Sequence, residues 1–255
     1  MKQQLAKNER QMADLIELTK KADSIELKLT IPDTDQHSAV ASLEMDVLDA
    51  ELRQVVFFDT PDLKLNRSGV VVRARRMPKG GDSVVKLRPV DPAELPEDLR
   101  RSNSFNVEVD AMPGSVVCAG TLKGRADNGD VKMVLQSKRR IRKLFSAEQR
   151  AFFREHAPQG LDLDSLTAFG PINTAKLKWT PSGFTRPLVA ELWFYPDGSR
   201  VLELSTKCKP DETFRVLAET RMFLLRRGIK LNGKQETKTR KALQYFSHQR
   251  KLKIA

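Results

Sequence analysis

The chain predicts an α+β fold in which one sheet curls into a closed barrel with helices packed outside. Three observations carry that expectation. Five short stretches place charged side chains on every second residue with apolar residues between them: Glu26-Leu27-Lys28, Arg73-Ala74-Arg75, Lys86-Leu87-Arg88, Glu108-Val109-Asp110 and Lys176-Leu177-Lys178. A strand sends alternate side chains to opposite faces, so each stretch has one charged face and one apolar face. Several of the five are bracketed by Val, Ile, Leu or Phe. A closed barrel gathers such charged faces into one interior and leaves no free strand edge. Finally, strand patterns lie at both ends of the chain with helical ones between and after them, which favours one α+β domain over two separate ones.

The elements follow in order. Residues 1–22 read as a polar N-terminal arm or helix, with Leu5, Met12, Leu15, Ile16 and Leu18 as its few apolar positions. A first strand fits Ser24 to Ile31 and stops at Pro32. Ala39, Val40, Leu43, Val47 and Leu48 recur at helical spacing within Thr34 to Ala50. Arg53 to Thr60 is a second strand, closed by the turn residues Thr60-Pro61-Asp62. Gly69 to Met77 and Ser83 to Val90 form a hairpin around Pro78-Lys79-Gly80-Gly81, and Ser104 to Ala111 is the fifth strand. The stretch from Pro113 to Gly170 reads as mostly helical, with Asn128 to Arg142 and Ser146 to His156 as its helices, the second opening on a Ser N-cap. Strands return at Thr174 to Thr180, Pro187 to Tyr195 and Arg200 to Lys207. Asp211 to Gly228 is a helix with an acidic start and a Gly stop, and Gln235 to Lys253 a final basic helix. The barrel domain is expected over 23–245, with 246–255 as a basic tail.

Composition narrows the class. Hydrophobic content of 40% with 31% charged residues describes a globular protein. Cys118 and Cys208 are too few for a secreted disulfide framework and fit a reducing cytoplasm, the expected location. The opening residues lack the apolar stretch of a signal peptide, and no apolar run is long enough to span a bilayer. Net charge is +12 and uneven: Arg226 to Lys253 holds ten Lys or Arg and the single acid Glu236, and Lys138, Arg139, Arg140, Arg142 and Lys143 form a second cluster. Such runs attract polyanions, nucleic acid among them, or serve as a solvated helix face.

The ordered motifs resemble the CYTH family of the triphosphate tunnel metalloenzyme superfamily. Ser24-Ile25-Glu26-Leu27-Lys28 stands where that family has Glu-x-Glu-x-Lys. Phe57-Phe58-Asp59-Thr60 followed by Val72-Arg73-Ala74-Arg75 matches its aromatic-Asp-Thr turn and Arg-x-Arg strand. Val85-Lys86-Leu87-Arg88, Asn106-Val107-Glu108-Val109-Asp110, Leu202-Glu203-Leu204-Ser205 and Thr237-Lys238-Thr239-Arg240 take the later places. The resemblance implies an antiparallel eight-stranded barrel, open at both ends, that binds a triphosphate in its lumen with magnesium or manganese as cofactor. Members hydrolyse inorganic, thiamine, nucleoside or RNA triphosphates, and some cyclise ATP.

On that reading Lys28, Arg73, Arg75, Lys86, Arg88, Lys178 and Lys238 bind the phosphates. A triphosphate carries about four negative charges near neutral pH, and guanidinium forks match phosphate oxygens two at a time. Glu26, Glu191 and Glu203 are the expected metal ligands, since magnesium and manganese prefer carboxylate oxygens. Glu26, Lys28 and Glu203 are the expected catalytic groups, and Glu108 and Asp110 would orient the attacking water or an arginine, or simply pair with arginines. Lys176 and Lys207 read equally well as solvated. Ser24 and Ser205 stand where the family has carboxylates, which leaves the lumen more positive and weakens the metal site. A metal-dependent phosphohydrolase of triphosphate or short polyphosphate is the leading expectation. A non-catalytic polyphosphate- or nucleotide-binding protein and a cyclase are the alternatives. His37, His156 and His248 lie outside the strand motifs, and Trp179 and Trp193 sit in apolar strand contexts.

Overall fold

The computed structural model describes residues 2–231, 235 and 237–254. Met1 and Ala255, the outer bounds of the expected arm and tail, and Glu236, the acid of the basic run, lie outside the described residues. Nine strands close into a barrel in the order β1-β5-β6-β4-β3-β2-β7-β8-β9. They are β1 (Ser24–Ile31), β2 (Glu51–Asp59), β3 (Val70–Arg76), β4 (Gly81–Leu87), β5 (Phe105–Met112), β6 (Ser115–Ala126), β7 (Thr167–Trp179), β8 (Leu188–Phe194) and β9 (Arg200–Cys208). Neighbours run antiparallel except β1 and β5, which are parallel.

The barrel therefore has nine strands in a mixed sheet, where eight antiparallel ones were expected. The added strand is β6, in the segment read as helical. Its sequence, SVVCAGTLKGRA, alternates charge only at Lys123-Gly124-Arg125, and it carries Gly120 and Gly124 among small residues. Both glycines accommodate neighbours: a Cβ on Gly120 would lie 2.7 Å from the Phe105 ring, and one on Gly124 2.4 Å from Gln149 Oε1. Gln149 spans that gap, donating from Nε2 to the carbonyls of Ser83 and Leu122.

Helices coat the outside. They are α1 (Lys2–Thr19), α2 (Gln36–Ser42), α3 (Lys64–Arg67), α4 (Glu97–Arg101), α5 (Asn128–Leu135), α6 (Ala147–His156), α7 (Thr213–Arg226) and α8 (Lys238–Ile254). The predicted helix over 34–50 stops at Ser42, beyond which Glu44 takes a positive φ of 54°. Likewise α5 ends at Leu135, shortly before Ser137 at φ 57°. α6 opens on the predicted Ser146, whose side chain and that of Gln149 cap each other's backbone.

The core lies between sheet and helices rather than inside the barrel. Ile25, Leu27, Val72, Ala74, Val85, Val107 and Val109, the alternates of the charged positions, pack beneath Leu15, Val131, Val134, Phe152 and Phe153 of α1, α5 and α6. A second layer joins Leu29, Leu177, Leu188 and Leu204 to Phe223 and Leu224 of α7, with Trp179 packed against it. Apolar burial on the outer face stabilises the barrel at about 25 cal/mol per Å², which leaves the inner face available for charge.

A third cluster closes one end of the barrel. Val55, Phe57, Val71, Trp193 and Val201, each on its strand's inward side, pack with Ala242 and Leu243 of α8, and all are less than 10% exposed. The resemblance implied a barrel open at both ends. Here α8 lies across one of them, packing Ala242 and Leu243 on the inward apolar positions. No helix among the described residues is long and apolar enough to cross a membrane.

Candidate functional site

The inward positions of the strands enclose a cavity of about 240 Å³. Ten Lys or Arg and five Glu or Asp line it, so its wall is cation-rich. Except for Lys238, which comes from α8, the charged residues arrive there by the period-two alternation of the strands.

On one wall the cations converge on Asp110, which is 5% exposed. Lys28 Nζ lies 2.7 Å from its Oδ1, and Lys86 Nζ and Arg88 Nη1 lie 3.5 and 3.8 Å from its Oδ2. Lys28 also pairs with Glu26 at 3.0 Å. Beside them Lys207 pairs with Glu108, to which Ser24 donates at 3.4 Å. Burial alone would push the Glu26 carboxyl up, but the Lys28 and Lys207 ammoniums overcome it and hold the group at about 2. Asp110 is likewise held well below the carboxylate range, against burial, by Lys28 and Lys86. Burial would discharge Lys28, but Asp110 and Glu26 raise it well above the ordinary lysine value.

The adjoining wall, where β9 pairs with β1, gathers around Glu191 and Glu203, register partners on β8 and β9. Lys238, from the first turn of α8, sits 2.8 Å from Glu203 Oε1, pairs with Glu191 and lies 5.6 Å from the Trp193 ring centroid. Lys176 reaches Glu191 at 3.9 Å. Against burial, Lys238 and Lys176 hold Glu191 well below the carboxylate range. Thr237, just before α8, accepts a hydrogen bond from Arg88 Nη2 at 3.1 Å. The last helix therefore contributes to the lumen as well as closing it.

Between these walls run β2 and β3. Arg75 forms a bidentate pair with Asp82, and Arg53 pairs with Glu51. Arg73 forms no ion pair among the described residues, and its buried Nε has no hydrogen-bond partner. Burial, reinforced by the neighbouring Arg75 charge, lowers its guanidinium to about 10. A buried cation left without a counter-charge is costly unless an anion joins it.

No family model and no curated protein matches the sequence. Solved structures do match it. A candidate adenylate cyclase from Bacillus halodurans superposes with a TM-score of 0.60 at 14% identity, over 86% of this chain and 97% of that one. HpAC1 from Hippeastrum, a candidate adenylyl cyclase for which a dominant triphosphatase activity is described, gives 0.58 at 18% identity, over 83% and 91%. The chain shares the fold of these two solved structures. The likeness is one of fold, as the motif order led one to expect.

Within the barrel the sequence-derived residues are largely, but not wholly, together. Glu26, Lys28, Arg73, Arg75, Lys86, Arg88, Glu108, Asp110, Glu191, Glu203 and Lys238 all line the cavity. Lys178 does not: it is exposed, two residues further along β7 than Lys176, where the strand has left the lumen. Lys176 and Lys207, left open between lumen and solvent, both line the cavity.

The expected ligand set is also regrouped. Glu26 offers an oxygen within 4.8 Å of oxygens from Glu108 and Asp110, whereas Glu191 and Glu203 clamp Lys238. The parallel β1–β5 pairing, which sets Glu26 opposite Asp110, is the cause. Three carboxylates so placed suit a hard divalent cation such as magnesium or manganese. Arg53, Lys123, Asn106, Thr121, Thr174 and Thr237 line the cavity without having been singled out. Signals were there for Arg53, a charged residue on a strand already expected, for Lys123, which alternates with Arg125, and for Asn106 and Thr237, which stand within the quoted motifs. His37, His156 and His248 do not line it.

Proposed function

We propose that the chain is a magnesium- or manganese-dependent hydrolase of inorganic triphosphate or another small triphosphate-bearing substrate, held in the barrel lumen. The carrying observation is the Arg73 guanidinium, buried among lumen cations with no carboxylate of its own. Glu26, Glu108 and Asp110 would hold the divalent ion, which when bound neutralises phosphate oxygens. Arg73 and Arg75 grip phosphate oxygens by their planar forks. Lys28, Lys86 and Lys238 offer ammonium charge to the terminal phosphoryl group, while the arginine forks stabilise the group that departs as its phosphoanhydride bond breaks. Water attacks the terminal phosphorus in line, oriented by an acid at the Glu108–Asp110 wall. The two buried thiols, Cys118 and Cys208, suit a reducing cytoplasm.

A phosphate-release screen tests this, run over triphosphate, thiamine triphosphate and ATP with magnesium, manganese or chelator. Release with one of the metals and its loss in Glu26→Gln support the reading. Binding in chelator with no release under any metal supports instead a non-catalytic binding protein. The observation favouring that second reading is that Ser24 and Ser205 hold two positions expected to be carboxylates, and that Ser24 donates to Glu108. Cyclic nucleotide formed from ATP with manganese would move the assignment to cyclisation.

A further inference from the structure

We infer that the lumen takes its ligand end-on and requires a free terminal phosphoryl group, so that phosphate chains lacking a free end are rejected. This rests on the reading above and concerns which polyphosphates the same site admits. The lumen is graded along its axis. Lys207, with a side chain 54% exposed, and Lys123, also exposed, mark the open rim. Lys28, Lys86, Arg88 and Lys238, with side chains only 14–22% exposed, stand further in. Beyond them the inward positions turn apolar at Phe57, Val71, Trp193 and Val201, and α8 lays Ala242 and Leu243 across the end.

A polyanion cannot run on through that layer. Its charges would leave the cations and meet only aliphatic and aromatic side chains, and a buried charge without partners is prohibitively unfavourable. Whatever part of a phosphate chain reaches the inner cations must therefore be its tip. Tip and interior differ chemically. A terminal phosphoryl group presents three free oxygens and up to two charges, whereas an internal or esterified one presents two oxygens and a single charge. Four inner cations, two of them sharing Asp110 with Lys28, match the richer group.

Calorimetric titration of the full chain with four ligands in magnesium tests the inference: linear triphosphate, cyclic trimetaphosphate, linear tetraphosphate and its P1,P4-dimethyl ester. The methyl caps remove the free ends while adding little bulk. Each end-less ligand is expected to bind about 100-fold more weakly than its linear counterpart, the loss of about two charge-assisted hydrogen bonds. A loss of more than tenfold supports end-on capture. Binding of the cyclic or dimethylated ligand within tenfold of its counterpart overturns it. In that case Arg73→Gln still weakens linear triphosphate if the site reading itself holds. A linear triphosphate that fails to bind, or binds Arg73→Gln as well as the native chain, overturns both.

Discussion

On the wall built by β1, β4 and β5, the single carboxylate of Asp110 lies within 4 Å of Lys28, Lys86 and Arg88, whereas on β3 the Arg73 guanidinium meets no carboxylate at all among the described residues. Both walls are buried and cationic, yet their energetics differ in sign. Asp110 and Lys28 hold each other ionised, although burial and its cationic neighbours lower Lys86, so that pair supports the fold. Around Arg73, Asp82 and Glu191 offset the cost of burial only in part, and an incoming anion would relieve it further. One wall maintains the shape of the lumen, and on the proposed reading the other would draw in the ligand.

The largest effect should follow from breaking the first wall. Asp110→Asn leaves three cations facing a neutral amide, and denaturant unfolding should show a loss of about 3–5 kcal/mol, as for removal of one member of a buried ion pair. A loss under about 1 kcal/mol would mean that the two walls do not differ as described. Arg73→Gln probes the other wall. Triphosphate affinity should fall about 100-fold, while the unfolding midpoint of the ligand-free chain holds or rises. A large drop in that midpoint would make Arg73 structural.

Acid sharpens the contrast on the first wall. The Glu26 carboxyl is depressed from 4.5 to about 2, so its stabilisation is complete above pH 4.5 and lost as pH falls toward 2. Asp110 and Glu191, also depressed, act in the same direction. Urea midpoints should therefore decline from pH 5 to pH 3, and decline less steeply in Glu26→Gln. The smallest effect belongs to Lys178→Ala. Outside the lumen, it should change stability by under about 0.5 kcal/mol and leave triphosphate binding intact. A tenfold loss of affinity would return Lys178 to the site.

The strands that carry alternating charge were legible because each inward ion displaces an apolar residue from a fixed parity. That pattern located Glu26, Lys28, Arg73, Arg75, Lys86 and Arg88 and the faces they share. β6 was illegible for the complementary reason: its small residues are chosen by what packs on them, Phe105 at Gly120 and Gln149 at Gly124, and neither contact is local in sequence. The grouping of the carboxylates was hidden because strand parity says which way a carboxylate faces and nothing about which strand lies beside it. Setting Glu26 with Asp110, rather than with Glu191 and Glu203, needed the parallel β1–β5 pairing. Lys178 failed at a strand end, where correct parity no longer means the interior.

β1 closes the barrel by pairing with β9, joining Ile25 to Cys208 and Ile31 to Leu202. That seam links residues more than 170 positions apart, and Lys238 enters only after it. During translation from the N-terminus, a ribosome-bound nascent chain can complete the seam only after β9 has emerged. Until then its polar and apolar strand faces stand open to chaperones, and it holds no enclosed field with which to capture phosphate. Such long-range closure also implies slow folding relative to helical proteins of similar size.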